Sequence, residues 1–243
     1  MPRNEYINPL QFRIEDDFNS IFNEINSQNA DVMIHLAGLV NIEECENNPL
    51  RCYNINVEGS EKIFKAAAKA GIKRFIYTST AHVYEMQKKL LLLDTNAKVN
   101  PKTVYAKSKL LTEEKLLSLS KKYPNIKISI ARIFSVLSKL MRKDFLLTTL
   151  YDMAKTKEFK PIKGLNNVRD FLWANDVCKK LIELSYSKAF PPIVNICSGQ
   201  PKKISEIVKE VFYEYGIDNS KILHLNNSKD KENCLVGIPT KFK

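Results

Sequence analysis

The stretch DVMIHLAG, residues 31–38, is a short and nearly unbroken apolar run that stops at a glycine. It is far below the roughly 18 apolar residues of a membrane span. It does not alternate, so it is not the strand of a sheet with one wet face. A run of this length reads as a strand buried on both faces, the kind found in parallel sheets covered by helices. The flanking segments supply those helices. Upstream, DFNSIFNEINSQ (17–28) sets Phe18, Ile21, Phe22 and Ile25 at helical spacing. Downstream, INVEGSEKIFKAAAKAG (55–71) reads as a helix closed by Gly71. RFIYTST (74–80) is the next strand. YAKSKLLTEEKLLSLSKKY (105–123) is a long amphipathic helix ended by Pro124, and IKISIARIF (126–134) is a strand again. PLQFRI (9–14) reads as a short strand before them all. Such alternation predicts an α/β, Rossmann-like fold: right-handed crossovers and a parallel sheet with helices on both faces.

After residue 135 the texture changes. Helices are predicted over 144–157, 175–188 and 204–216, with a strand at 193–199. Residues 1–134 then form the sheet domain. Residues 135–243 form mostly a small C-terminal lobe over one end of the sheet, with one strand near 193–197 returning to it. Ligands of such sheets lie outside the carboxyl ends of the strands, here near Gly38, Thr80 and Ser135.

Composition narrows the function classes. The net charge of +11 comes from lysines spread along the whole chain, with no RNA-binding aromatic signature and no zinc-finger spacing. We therefore expect no nucleic-acid partner; a small anionic substrate such as a nucleotide diphosphate suits the charge. Five scattered cysteines without a CxxC pattern read as reduced thiols of a cytoplasmic protein. His35, His82 and His224 have no ligand spacing, so no metal is expected. No apolar run suggests a membrane span or a signal peptide.

TVYAKSK (103–109) sets Tyr105 four residues before Lys109. Alone this means little. With 31 lysines and ten tyrosines the chain contains four such pairs, the others being Tyr84–Lys88, Tyr123–Lys127 and Tyr151–Lys155. The spacing puts both side chains on one helix face, and a solvated surface pair is one reading. Position favours another. Tyr105 opens its helix, and Thr80 ends the strand 25 residues upstream, on the same rim. A nearby ammonium, and a positively charged nicotinamide, would draw the phenol from its usual pKa of about 10 toward neutrality. Thr80 could then hold the substrate oxygen whose proton Tyr105 takes.

These stretches resemble, in order, the motifs of the extended short-chain dehydrogenase/reductase family, the nucleotide-sugar epimerases, dehydratases and ketoreductases. DVMIHLAGLV resembles the strand motif whose Leu36, Ala37 and Gly38 backbone lines the dinucleotide. YNINVEG resembles the Asn-x-x-Gly helix start, with Asn56 at the cofactor. FIYTSTAHVY and YAKSK match the Ser/Thr strand and the Tyr-x-x-x-Lys helix. ARIFSV, VRDFLWANDV and VNICSG resemble the later motifs. The resemblance implies Thr80, Tyr105 and Lys109 as the catalytic triad. Tyr105 would be the general acid/base, and Lys109 would also bind the nicotinamide ribose of NAD or NADP. Thr80, Ser135 and Arg169 would contact a nucleotide-diphosphate sugar, Arg169 by clamping the diphosphate. For Arg169 a surface ion pair with Asp170 is the alternative. The family's 4,6-dehydratases carry Asp-Glu after the catalytic Thr, where this chain has Ala81 and His82. That leaves an epimerase or a 4-ketoreductase. The same resemblance implies a homodimer through the helices at 55–70 and 105–122, to which Leu110, Leu111, Leu116 and Leu117 would lend spare apolar surface.

One family element is not found. The seven glycines form no G-x-x-G-x-x-G loop, the backbone cradle for pyrophosphate. In the family's order the sheet's first strand–helix–strand unit is also lacking. The expectation from sequence is thus an inactive fragment of a longer enzyme, with an open apolar edge at DVMIHLAG. A non-catalytic remnant that binds a nucleotide or a partner is the alternative.

Overall fold

The structure is a computed structural model that describes residues 12–143, 145–218, 220, 222, 225 and 232–242. Its centre is a four-stranded parallel sheet of β1 (Val32–His35), β2 (Arg74–Thr80), β4 (Lys127–Ile133) and β7 (Ile193–Ile196), in the spatial order β1-β2-β4-β7. All three pairings are parallel, as the strand–helix alternation predicts.

Helices cover both faces. On one lie α1 (Phe18–Ser27), α4 (Ser60–Lys69) and α5 (Val104–Ser120), with the short α2 (Ile42–Asn47) and α3 (Pro49–Tyr53) against α5. Ile21 and Ile25 of α1 and Ile63 and Phe64 of α4 pack with Phe75, Tyr77, Ile128 and Ile130 of the sheet. The opposite face carries α7 (Ala174–Tyr186), whose Leu181 and Leu184 pack with Ile76, Ala131, Val194 and Ile196. The neighbours Ile76 and Tyr77 thus serve opposite layers, the period-two rule of a strand. Local signals set the ends. The Asp17 carboxylate caps α1 by accepting from the Asn19 and Ser20 amides. Gly71, at φ +82°, turns the chain out of α4.

The remaining chain builds the lobe. A second, smaller sheet runs β3 (Leu92–Leu93), β9 (Cys234–Gly237), β6 (Val168–Trp173), β5 (Ser135–Leu137), with β8 (Pro201–Lys203) antiparallel to β6. Over it, α6 (Leu146–Thr156) and α8 (Ile204–Glu214) pack through Leu150, Met153, Val208 and Phe212. Because β5 follows β4 after one residue, the lobe is held against the carboxyl end of the main sheet.

Four expectations need correction. First, β1 is half-buried rather than buried on both faces, because among the described residues it pairs only with β2. It is the open edge, and Leu36 beyond it is 64% exposed. Second, Phe12–Ile14 form no strand; residues 9–11 of PLQFRI lie outside the described residues. Third, α7 as well as β7 returns to the main sheet from the second half of the chain. Fourth, the leucines of α5 are not spare. Leu116 is in the core, Leu110 and Leu117 pack against it, and only Leu111, at 37%, is exposed.

Candidate active site

The site forms where β2, α5 and the loop after β1 meet at the sheet rim. β2 ends at Thr80, whose hydroxyl oxygen accepts the His82 amide at 3.2 Å and starts a 3-10 turn over Ala81–Val83. α5 starts beside it. The Thr103 hydroxyl caps the helix by accepting from the Ala106 amide at 3.1 Å. Tyr105 therefore sits in the first turn and Lys109 one turn deeper.

Lys109 is almost fully buried. Its Nζ donates to the Thr78 carbonyl at 2.8 Å and stands 4.7 Å from the centroid of the Tyr77 ring. Burial pushes its pKa down to about 8, against the pull of the Glu113 carboxylate. Tyr105 is pushed up to about 12, because burial outweighs the Thr80 hydroxyl beside it. Burial thus outweighs the pull toward neutrality expected of the lysine, whose ammonium donates to a backbone carbonyl.

The three residues expected at the cofactor take different positions in the loop after β1. Leu36 and Ala37 are exposed. Gly38 lies close to the machinery: a Cβ there would come within 2.9 Å of Asn56 Oδ1 and 3.5 Å of Lys109 Nζ. Asn56 lies in a six-residue π-helix, Asn54–Gly59, that leads into α4. Its Oδ1 accepts from the Leu39 amide at 2.7 Å, and its Nδ2 donates to the Leu39 carbonyl at 2.9 Å and to Ser108 Oγ at 3.0 Å. The wider π turn displaces backbone partners, and the Thr112 hydroxyl supplies one by donating to the Asn56 carbonyl at 3.0 Å. Asn56 thus clamps the loop, and Gly38 allows the close approach.

A cavity of about 530 Å³ opens over these groups, with Leu36, Thr80, His82, Tyr105, Lys109, Ser135 and Arg169 on its wall. Ser135 enters from β5, opposite Phe171. Arg169 enters from β6. Its Nη1 donates to the Val168 and Asn233 carbonyls at 2.9 and 3.1 Å, and its Nη2 to Asn233 Oδ1 at 2.7 Å. Arg169 does not pair with Asp170. The Asp170 carboxylate is turned away and accepts from the Ser198 amide and hydroxyl and the Gly199 amide at 2.6–2.8 Å. The Arg169 guanidinium is held by its three bonds to Val168 and Asn233 and, among the described residues, has no carboxylate partner, which suits an anion.

Sequence reasoning missed several residues. His82 shares the cavity, and burial, reinforced by Arg169, pushes it down to about 4, so its ring is neutral at physiological pH. Glu113 and Arg132 form a buried pair behind Lys109. Both left a signal: Glu113 is eight residues beyond Tyr105 on the same helix face, and Arg132 interrupts an apolar strand. Among the described residues no group of three or more candidate ligands could hold a metal, and all five thiols are free.

Comparison with known proteins agrees with this architecture. The model of the NAD-dependent epimerase/dehydratase family matches residues 10–197. GDP-6-deoxy-D-talose 4-dehydrogenase of Aggregatibacter actinomycetemcomitans is 30% identical over 190 residues, 74% of this chain and 60% of that protein. GDP-6-deoxy-D-mannose reductase of Pseudomonas aeruginosa is 26% identical over 187 residues, 74% of this chain and 61% of that protein. The matches therefore span about three fifths of either relative's length. The Thermus thermophilus UDP-glucose 4-epimerase, solved in complex with NAD, superposes with a TM-score of 0.82 at 15% identity. That superposition covers 97% of this chain and 78% of that one, and shows that the fold is shared.

Proposed function

The chain belongs to the NAD-dependent epimerase/dehydratase family, and we propose that its site serves redox chemistry at a carbon of a nucleotide-diphosphate sugar, as a 4-epimerase or a 4-ketoreductase. The observation that carries the reading is the convergence of Thr80, Tyr105, Lys109 and Arg169 on one cavity.

Each residue has a physical task there. The Tyr105 phenol, held protonated by burial, gives its proton to the sugar oxygen during reduction and takes it back during oxidation. Thr80 holds that oxygen by a hydrogen bond. Lys109 places positive charge beneath the site and so favours the phenolate as it forms. Arg169 holds the diphosphate, and Ser135 contacts the sugar. A nicotinamide dinucleotide, NAD or NADP, supplies the hydride acceptor and donor when bound. By the resemblance, the backbone at Leu36, Ala37 and Gly38, with Asn56 and Lys109, would hold its nicotinamide ribose; a side chain at Gly38 would meet Asn56 Oδ1 at 2.9 Å, so that loop lies close against Asn56 and Lys109. Ala81 and His82 offer no carboxylate where the resembled dehydratases have two, which favours epimerisation or ketone reduction over loss of water.

The second reading, binding of a nucleotide or a partner without turnover, rests on the lack of a G-x-x-G-x-x-G run in these 243 residues. One experiment separates the two. The wild-type chain and Tyr105→Phe are assayed for conversion of UDP- and GDP-sugars with NAD(H) and NADP(H), and for binding of each by calorimetry. Loss of the acid/base group lowers turnover by about 10²- to 10⁴-fold and leaves binding nearly unchanged. Near-wild-type turnover in Tyr105→Phe overturns the first reading. Binding without turnover by the wild-type chain supports the second.

A further inference from the structure

Behind the triad lies a buried charge pair that the proposed chemistry does not use. Glu113 of α5 and Arg132 of β4 meet through Arg132 Nη2 to Glu113 Oε2 at 2.6 Å and Arg132 Nε to both carboxylate oxygens at 3.1 and 3.2 Å. Both residues are at most 4% exposed. Arg132 is itself held, donating from Nη1 to the Thr95 carbonyl at 3.2 Å, with its guanidinium carbon 4.8 Å from the centroid of the Tyr84 ring. The Ser79 hydroxyl donates to Glu113 Oε1.

The placement joins α5 to the end of β2 at three consecutive residues. Lys109 bonds the Thr78 carbonyl, Glu113 takes the Ser79 hydroxyl, and Tyr105 stands beside the Thr80 hydroxyl. Tyr105, Lys109 and Glu113 are spaced i, i+4, i+8 on one helix face. A buried ion pair is weak evidence for stability, since desolvation offsets much of its Coulombic gain. Here the carboxylate also lies one turn from an almost fully buried ammonium.

We propose that Glu113, fixed by Arg132, is a positioning residue for the Thr80–Tyr105–Lys109 site: it locks the end of β2 against α5 and supplies the negative charge that keeps Lys109 protonated inside the core. The proposal rests on the catalytic reading only for its biological meaning; the electrostatic claim stands on the geometry. The other titratable groups near Lys109 do not replace that charge. Cys45 and Cys52 come from the helices before the π turn. Burial pushes the Cys45 thiol up to about 12. His35 of β1 is pushed down to about 3 and is neutral. Burial raises Tyr77, beneath the ammonium, and holds Tyr105 up, so both are neutral. Among the described residues Glu113 is the one carboxylate acting on Lys109.

The test reads Lys109 directly and needs no turnover. The chain is labelled with lysine carrying ¹³C at Cε, and the Lys109 resonance is assigned by its loss in Lys109→Arg. Its titration midpoint is then followed in wild type, in Glu113→Gln, and in the double variant Glu113→Gln with Arg132→Met, which removes the pair as a unit. Circular dichroism melts check folding. In folded Glu113→Gln the midpoint falls by about one pH unit or more, so a large part of Lys109 is neutral at pH 7; in the double variant, which loses the Arg132 cation as well, the fall is smaller. A core pair with no role at the site would leave the midpoint in place. A folded Glu113→Gln whose midpoint stays within about 0.3 unit of wild type, a fraction of the shift one nearby charge produces, overturns the proposal, as does a folded double variant whose midpoint does not fall. So does failure of both variants to fold, which assigns the pair to the core alone. Because no cofactor or substrate is added, the outcome is independent of whether the chain turns over a sugar nucleotide.

Discussion

Asp170→Asn should loosen the lobe from the sheet although it changes only one atom type. Asp170 is fully buried in β6. Its Oδ1 accepts from the Ser198 amide at 2.7 Å and the Ser198 hydroxyl at 2.6 Å, and its Oδ2 from the Gly199 amide at 2.8 Å and the Gly237 amide at 3.4 Å. One carboxylate thus ties β6 to the loop after β7 and to β9. An asparagine keeps one acceptor oxygen and turns an NH₂ group toward the donors on the other side. At least one buried donor is left unmade and faces a second donor. Each such loss costs about 1–3 kcal/mol, and bonds to a charged acceptor lie at the upper end. Water can reach the half-buried Ser198 side, so the sum is about 2–4 kcal/mol, a large part of a typical stability of about 5–15 kcal/mol. Urea unfolding should show an earlier midpoint at an unchanged slope. Asp176→Asn is the control: this carboxylate is half exposed, with Lys179 3.6 Å away, and its loss should stay within about 0.5 kcal/mol. A cost below about 1 kcal/mol for Asp170→Asn would refute the view that these four donors depend on one charged acceptor.

Two pH predictions follow from the buried bases. Lys109 is pushed down from 10.5 to about 8, so between those values the unfolded chain holds a proton that the folded chain has released. Stability from this group therefore rises with pH through that window, by at most about 3 kcal/mol. In Lys109→Met the rise is absent and the chain is more stable at pH 7; urea midpoints at pH 8 and 10.5 that move in parallel in the two proteins would sink this. His35, 2.9 Å from the Ser60 hydroxyl, is pushed down from 6.5 to about 3, chiefly by burial. The same linkage makes stability fall as pH drops through that range, and His35→Gln should flatten the fall. Equal acid sensitivity in both proteins would show that other groups cause it.

The sequence by itself determined the layers. The non-alternating apolar run at 31–38 and the strand–helix alternation that follows it specify a parallel sheet. The helical spacing of Phe18, Ile21, Phe22 and Ile25 specifies what covers it. Motif order then placed Thr80, Tyr105 and Lys109 on one rim, because the end of a strand and the start of the next crossover helix are adjacent in such a sheet. Tertiary structure decided what depends on neighbours distant in the chain. Whether β1 is covered depends on who pairs with it, which its own residues cannot report. The raised pKa of Tyr105 follows from its burial, which spacing does not encode. Four α5 leucines that read as spare surface proved mostly to be core, because β2, β4 and α4 approach that helix from different sides. Asp170 follows Arg169 in sequence, yet the pleat sends their side chains to opposite faces, one to the cavity and one to the loop after β7. Glu113 and Arg132 each leave a trace in the sequence, but only the packing of α5 on β4 makes them one buried pair.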